Sequence, residues 1–182
     1  MKELSLQILD IMQNSVRAEA TLIKLTIVED TEKDLFEICI EDNGKGMSKE
    51  MAERVTDPFV TCRTTRRVGL GIPLLKAAAE LTGGGVELTS ELGVGTVITA
   101  RFGHSHIDRQ PLGDIKSTMV ETIASFEEID FLYTHRVDGR EYVLDTREMR
   151  EILGGVSFNT PEVMAWLSEF IRENEEELYK AE

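Results

Sequence analysis

A chain of 182 residues with 41% hydrophobic and 30% charged side chains can bury a core without disulfides or a structural metal, as one domain or one domain with an appended unit. Two cysteines at no metal-ligand spacing, no apolar run approaching the roughly 18 residues of a membrane span, and an N-terminus (Met1-Lys2-Glu3-Leu4) without a signal-peptide core exclude a disulfide framework and a membrane span and point to the cytoplasm. The net charge of -14 disfavours nucleic acid and anionic membranes and suits a basic protein partner.

In chain order, Leu4, Ile8, Ile11, Met12 and Val16 recur at helical spacing and predict an amphipathic helix over about residues 3–19. Leu22 to Val28 and Leu35 to Glu41 alternate with period two and read as an antiparallel pair of strands. Ser48 is a good N-cap for a short helix to about Val55. Residues 56–70 lack periodicity and are polar and basic, a loop of the length that usually carries function or disorder. A helix from Ile72 to Thr82 carries Pro73 in its first turn and stops at Gly83-Gly84-Gly85. Val86 to Ser90 and Thr96 to Phe102 then form a hairpin across Gly93-Val94-Gly95.

The resulting expectation is an α+β, two-layer sandwich, its mixed sheet covered on one face by helices, over residues 1–103. Residues 104–113 have the composition of a linker, and 114–182 read as a small, acidic α+β unit. In that unit a helix is followed by two strands joined at Asp138-Gly139, a short helix capped by Asp145, and a last helix starting at Thr160-Pro161. Residues 1–103 carry 12 basic and 16 acidic side chains and residues 104–182 carry 8 and 18, so the second part holds most of the acidity.

Three short patterns could carry chemistry. Asp10, Asn14 and Arg17 fall within roughly 60° of one another on the first helix. They form either a solvated polar stripe or a row offering a base, an amide oxygen for Mg²⁺ and a cation for phosphate. Asp42-Asn43-Gly44-Lys45-Gly46 ends a strand with a carboxylate able to accept from an exocyclic amine, beside glycines that permit close approach. By itself it describes a strand ending in an Asn-Gly turn equally well. Gly69-Leu70-Gly71 precedes a helix and could expose amides to an anion, yet it lacks the Gly-Lys-Ser/Thr ending of a P-loop.

Taken in order, these motifs resemble the ATP-binding domain shared by DNA gyrase, heat-shock chaperones, histidine kinases and mismatch-repair ATPases (the GHKL superfamily, with its Bergerat-type fold). The resemblance covers about residues 3–103. It implies ATP and Mg²⁺ as ligands, Asn14 as the metal-binding asparagine, and Asp42 as the acceptor for the adenine amino group. It further implies Gly44, Gly46, Met47 and Thr96 around the adenine, Thr61 to Arg67 as a lid supplying Arg63, Arg66 and Arg67, and Gly69-Leu70-Gly71 at the phosphates. Asp10 stands where the family's hydrolases carry a general-base glutamate, and Arg17 where histidine kinases carry a cation.

No phosphoacceptor helix precedes the Asn14 helix, His104 and His106 lie in the linker, and His135 on a strand reads as structural. The expected function is therefore an ATP-binding regulatory protein whose acidic C-terminal part engages a protein partner. The alternative is a protein kinase of the anti-sigma type, or a slow ATPase using Asp10.

Overall fold

The computed structural model describes residues 3–57 and 70–180. Along the chain run α1 (Leu4–Arg17), β1 (Leu22–Asp30), β2 (Leu35–Asp42), α2 (Lys49–Val55), α3 (Gly71–Leu81), β3 (Gly85–Glu91), β4 (Gly95–Gly103), α4 (Ile115–Ser125), β5 (Asp130–Val137), β6 (Arg140–Asp145), α5 (Thr146–Leu153) and α6 (Pro161–Leu178). The segment expected to act as a lid, with Arg63, Arg66, Arg67 and Gly69, lies outside the described residues.

Period-two burial in β1 and β2 puts one face of each strand in the core. The six strands form one sheet in the order β3-β4-β2-β1-β5-β6, antiparallel throughout except for the parallel pair β1 and β5. Cross-strand register extends the buried face as rows. One row runs Leu88, Ile98, Ile40, Leu25, Tyr133, Leu144, and the next runs Val86, Ala100, Ile38, Ile27, His135, Tyr142. The apolar stripe of α1 (Leu4, Ile8, Ile11 and Met12, each at most 1% exposed) is buried in the same core as Leu75 and Ala79 of α3 and Met119 and Ile123 of α4. The architecture is thus a mixed-sheet α+β sandwich.

Residues 104–113, expected to be a linker, pack closely on the first part of the chain. Pro111 and Leu112 accept from the Leu4 and Ser5 amides at 3.0 and 2.8 Å, satisfying donors that the start of α1 leaves without helical partners. Arg109 lies 4.7 Å over the Phe36 ring, which itself meets Phe102 edge-on. Beyond this segment, the C-terminal α+β unit adds β5 and β6 directly beside β1. The turn between them is the expected one, with Asp138 and Gly139 both at positive φ (47° and 85°).

What fastens α6 to this end of the sheet is a buried polar network. His135, with no exposed side-chain surface, places Nε2 2.8 Å from Glu29 and Nδ1 2.8 Å from Glu175. Carboxylates only accept, so both ring nitrogens must donate and the imidazole is a cation. Tyr133 and Tyr142 also donate to Glu175, at 3.0 and 2.5 Å, Tyr179 donates to Glu29, and His104 Nε2 lies 3.1 Å from the other Glu29 oxygen. Burial by itself would lower the pKa of His135, but the hydrogen bonds it donates to Glu175 and Glu29 outweigh it and hold the ring at about 9. Burial likewise opposes ionisation of Glu29, and hydrogen bonds from His135, Tyr179 and His104 overcome it, taking its pKa to about 2.

These shifts set a pH window. His135 is raised from 6.5 to about 9, so its contribution to stability is complete below pH 6.5 and is lost as pH rises through 9. Glu29 is lowered from 4.5 to about 2, so its contribution is present above pH 4.5 and is lost as pH falls through 2. Urea unfolding should therefore show greatest stability between these limits, declining from pH 6.5 towards 9. His135→Ala, which leaves two buried carboxylates without their cation, should cost about 3–5 kcal/mol and abolish the alkaline decline.

Candidate functional site

At the opposite end of β1 the polar residues of the buried face form a second group. The row that ends the sheet there runs Ser90, Thr96, Asp42, Ile23 and Phe131, so Asp42 emerges under the helices. A cavity of about 260 Å³ opens above it. Its walls include Ile11, Asn14, Ser15 and Arg17 of α1, Asp42, Lys45, Gly46 and Met47, Met51 and Val55 of α2, Ile72 of α3, and Thr96 and Ile98 of β4. The lining is mainly apolar, with a few polar groups brought together at one side, which is the usual construction of a small-molecule pocket.

Asp42 is held from both sides. Ser15 Oγ donates to its Oδ2 at 2.6 Å, and the Gly44 amide donates to its Oδ1 at 2.9 Å. Each oxygen keeps a lone pair for a further donor. Next to it, Asn43 turns away from the cavity and accepts from the Thr21 and Leu22 amides at 2.8 and 2.9 Å, tying the start of β1 to the end of β2.

Gly46 has φ of 70°, and a Cβ there would stand 2.0 Å from the Glu91 carbonyl oxygen. No other residue fits without moving the β3–β4 turn. The close approach that demands glycine is therefore to the chain's own backbone. The Lys45 amide donates to the Ala18 carbonyl and the Gly93 amide to the Lys45 carbonyl, so this loop is clamped between the end of α1 and the hairpin turn.

Asn14, Arg17, Asp42, Gly46, Met47 and Thr96 all border the cavity, and Gly44 lies beside it through its bond to Asp42. Arg17 Nη1 donates to Asn14 Oδ1 at 2.8 Å. Asp10 stands one helical turn before Asn14, outside the cavity wall, packed against the start of α3. A Cβ on Gly71 would come within 2.8 Å of the Asp10 β-carbon. Leu70, just before that helix, is 43% exposed.

Two residues in this constellation are not among the candidates read from the sequence. Ser15 occupies a buried position of the α1 stripe, and Ser90 the core face of β3. Ser90 Oγ accepts from the Met47 amide and lies 2.8 Å from the Thr96 hydroxyl, joining both expected base-contacting residues to the edge strand. The signal for each was a hydroxyl interrupting an apolar period.

A larger hollow of about 400 Å³ adjoins the same strand ends, lined by Leu22, Lys24, Glu41, Asp42, Asn43, Thr89, Ser90, Thr96, Val97 and the hairpin turn. It involves neither α1 nor α3. Among the described residues no group of three or more His, Cys, Asp or Glu side chains could hold a metal, and no helix is long and apolar enough to cross a membrane.

Comparison with known proteins agrees with the fold. Among solved structures, the fold matches the Aquifex aeolicus MutL ATPase domain complexed with ADP at a TM-score of 0.52 and 18% identity, covering 85% of this chain and 70% of that one. It also matches the N-terminal domain of a DNA repair protein at a TM-score of 0.57 and 14% identity, covering 100% and 58%. Curated relatives include the histidine protein kinase DivJ of Caulobacter vibrioides, 30% identical over 99 residues (52% of this chain, 17% of that protein). Another is sporulation kinase D of Bacillus subtilis, 33% identical over 92 residues (50% and 18%). This chain thus spans less than a fifth of the length of either kinase. The profile of the histidine kinase-, DNA gyrase B- and HSP90-like ATPases matches residues 2–106, and the chain belongs to that family.

Proposed function

We propose that the cavity above Asp42 binds ATP and that the chain is an ATP-binding regulatory protein acting on a protein partner. The observation that carries this reading is the Asp42 carboxylate, fixed by Ser15 and the Gly44 amide at the base of an apolar slot. A fixed acceptor favours a base bearing an exocyclic amine over one presenting a carbonyl at that point. Met47, Ile98 and Thr96 would flank the base. Arg17 would meet the phosphates, and the family resemblance implies that Arg63, Arg66 and Arg67 would join it.

The donor set fits Mg²⁺ in a limited way. Asn14 is the amide oxygen at the cavity wall, and most of the coordination would come from phosphate oxygens and water, as is usual for this ion. Bound there, Mg²⁺ would neutralise phosphate charge. The C-terminal unit, with its excess of acidic side chains, supports a basic protein as the partner.

A second reading is favoured by Asp10. Its carboxylate makes no hydrogen bond or ion pair among the described residues, and it sits against the start of α3 one turn from Asn14. That leaves it free to orient water in a slow ATPase, and a kinase of the anti-sigma type would use the same pocket for transfer to a protein.

Titration with an ATP analogue tests the pocket. Asp42→Asn, which replaces one acceptor oxygen with a donor, should weaken adenine-nucleotide binding at least about tenfold, and undiminished binding would sink the assignment. Ser15→Ala should weaken it by a smaller factor, about three- to tenfold, because Asp42 keeps its bond from Gly44 but loses one restraint. Incubation with labelled ATP separates the modes of use. Phosphate release that disappears in Asp10→Asn would indicate hydrolysis, label on a second protein would indicate a kinase, and binding with neither would indicate a switch.

A further inference from the structure

We propose that Ser90 is a positioning residue for base recognition: it holds the Thr96 hydroxyl as a hydrogen-bond acceptor, so that the polar end of the cavity takes an exocyclic amine and rejects a carbonyl. The proposal rests on the ATP reading of the cavity given above.

Ser90 of β3, Thr96 of β4 and Asp42 of β2 stand side by side on neighbouring strands, in direct register. A serine hydroxyl has one proton to give and two lone pairs to receive with. Around Ser90 Oγ lie the Met47 amide at 2.8 Å, the Gly95 carbonyl oxygen at 3.1 Å and the Thr96 hydroxyl at 2.8 Å. The amide can only donate and the carbonyl can only accept, so the Met47 N–H takes one lone pair and the serine proton goes to Gly95. What remains for Thr96 is the second lone pair, and Thr96 must therefore donate. In the reverse arrangement the serine proton would point at Thr96, and two oxygens with no proton between them would face each other 3.1 Å apart at Gly95.

The consequence falls inside the cavity. Thr96 borders it, and with its only proton committed to the edge strand its oxygen has nothing but lone pairs to offer a ligand. Asp42 beside it is also an acceptor, held by Ser15 and the Gly44 amide with capacity left on each oxygen. Two adjacent acceptors suit an amine, which can donate, and repel a carbonyl, which cannot. Without Ser90 the Thr96 hydroxyl would turn freely and could donate to a carbonyl in the ligand, leaving discrimination to Asp42 alone. Ser90 is not part of the cavity wall, so its effect is exerted through Thr96 and not by contact with the base.

Displacement of a fluorescent ATP analogue by ATP and by inosine triphosphate, which carries a carbonyl where ATP carries its amine, tests this. Each variant is checked for folding by circular dichroism. Wild type should prefer ATP by at least about tenfold. Ser90→Ala should reduce that preference at least about threefold, and Ser90→Thr, which keeps the hydroxyl, should retain it. Thr96→Val should reduce the preference as well, and adding Ser90→Ala to it should change the preference no further. A Ser90→Ala protein that binds both triphosphates more weakly, with the preference unchanged, would reveal a merely structural role and overturn the proposal. Full preference in Thr96→Val would overturn it too, whether or not Ser90→Ala folds. Either result leaves the pocket assignment standing. Failure of wild type to bind the analogue or either triphosphate would overturn the pocket assignment and the proposal together.

Discussion

Strand β1 must bury one face and leave the other uncovered, and most of the structure follows from that requirement. Its side chains alternate strictly, and a slip of one residue against either neighbour would send Ile23, Leu25 and Ile27 to the wrong side. The register with β2 on one flank and β5 on the other is therefore fixed by the core. Charged side chains join the buried face only near the ends of the strand rows. Asp42 lies opposite Ile23 at one end, and Glu29 lies two residues beyond Ile27, the partner of His135, at the other. These positions are separated by about 20 Å along the strand.

The two ends treat their carboxylates in opposite ways. Glu29 is surrounded by His135, His104 and Tyr179, so its capacity to accept is taken up within the fold. Asp42 receives only Ser15 and the Gly44 amide and faces a cavity. A carboxylate restrained but not saturated can still recognise a ligand, whereas a saturated one can only hold the protein together. Restraint at Asp42 comes from a loop clamped between Ala18 and Gly93, which makes Gly46 a structural requirement as well as part of a recognition motif. The same clamp ties the geometry of the slot to the β3–β4 hairpin. Ser90 adds a side-chain connection between that hairpin and Met47.

Periodicity made the elements legible in the sequence, because burial of one face imposes it directly on residue order. Leu4 to Met12, the alternation in β1 and β2, and the turn at Asp138-Gly139 needed no tertiary information. The stripe of Asn14 and Arg17 and the strand end at Asp42 could be placed for the same reason. What periodicity cannot show is the partner of a side chain. His135 reads as a structural strand residue, yet its two carboxylates are 106 and 40 residues away, and nothing local marks them. Ser15 and Ser90 were hidden because a hydroxyl inside an apolar repeat has no visible ligand until the strands are assembled. The continuity of the sheet through β5 was hidden as well, since a parallel neighbour has no short turn to announce it. Residues 104–113 have a linker-like composition, yet they are packed against α1 and Phe36.

The buried network has a consequence that its net energy does not express. Removing three ionised groups from water opposes folding by several kcal/mol per ion, so an apolar cluster of the same volume would hold α6 at least as firmly. Hydrocarbon packing, however, would constrain the rotation of the helix only loosely. Glu175 receives His135, Tyr133 and Tyr142 from two strands, and Tyr179, one turn later, reaches Glu29 on a third. Turning α6 by a single residue, about 100°, would break all of these contacts at once. The network thus specifies which face of the acidic C-terminal helix is covered and which is presented outward. It does so through Glu29 of β1, the strand whose other end is tied by Asn43 to the edge of the Asp42 pocket.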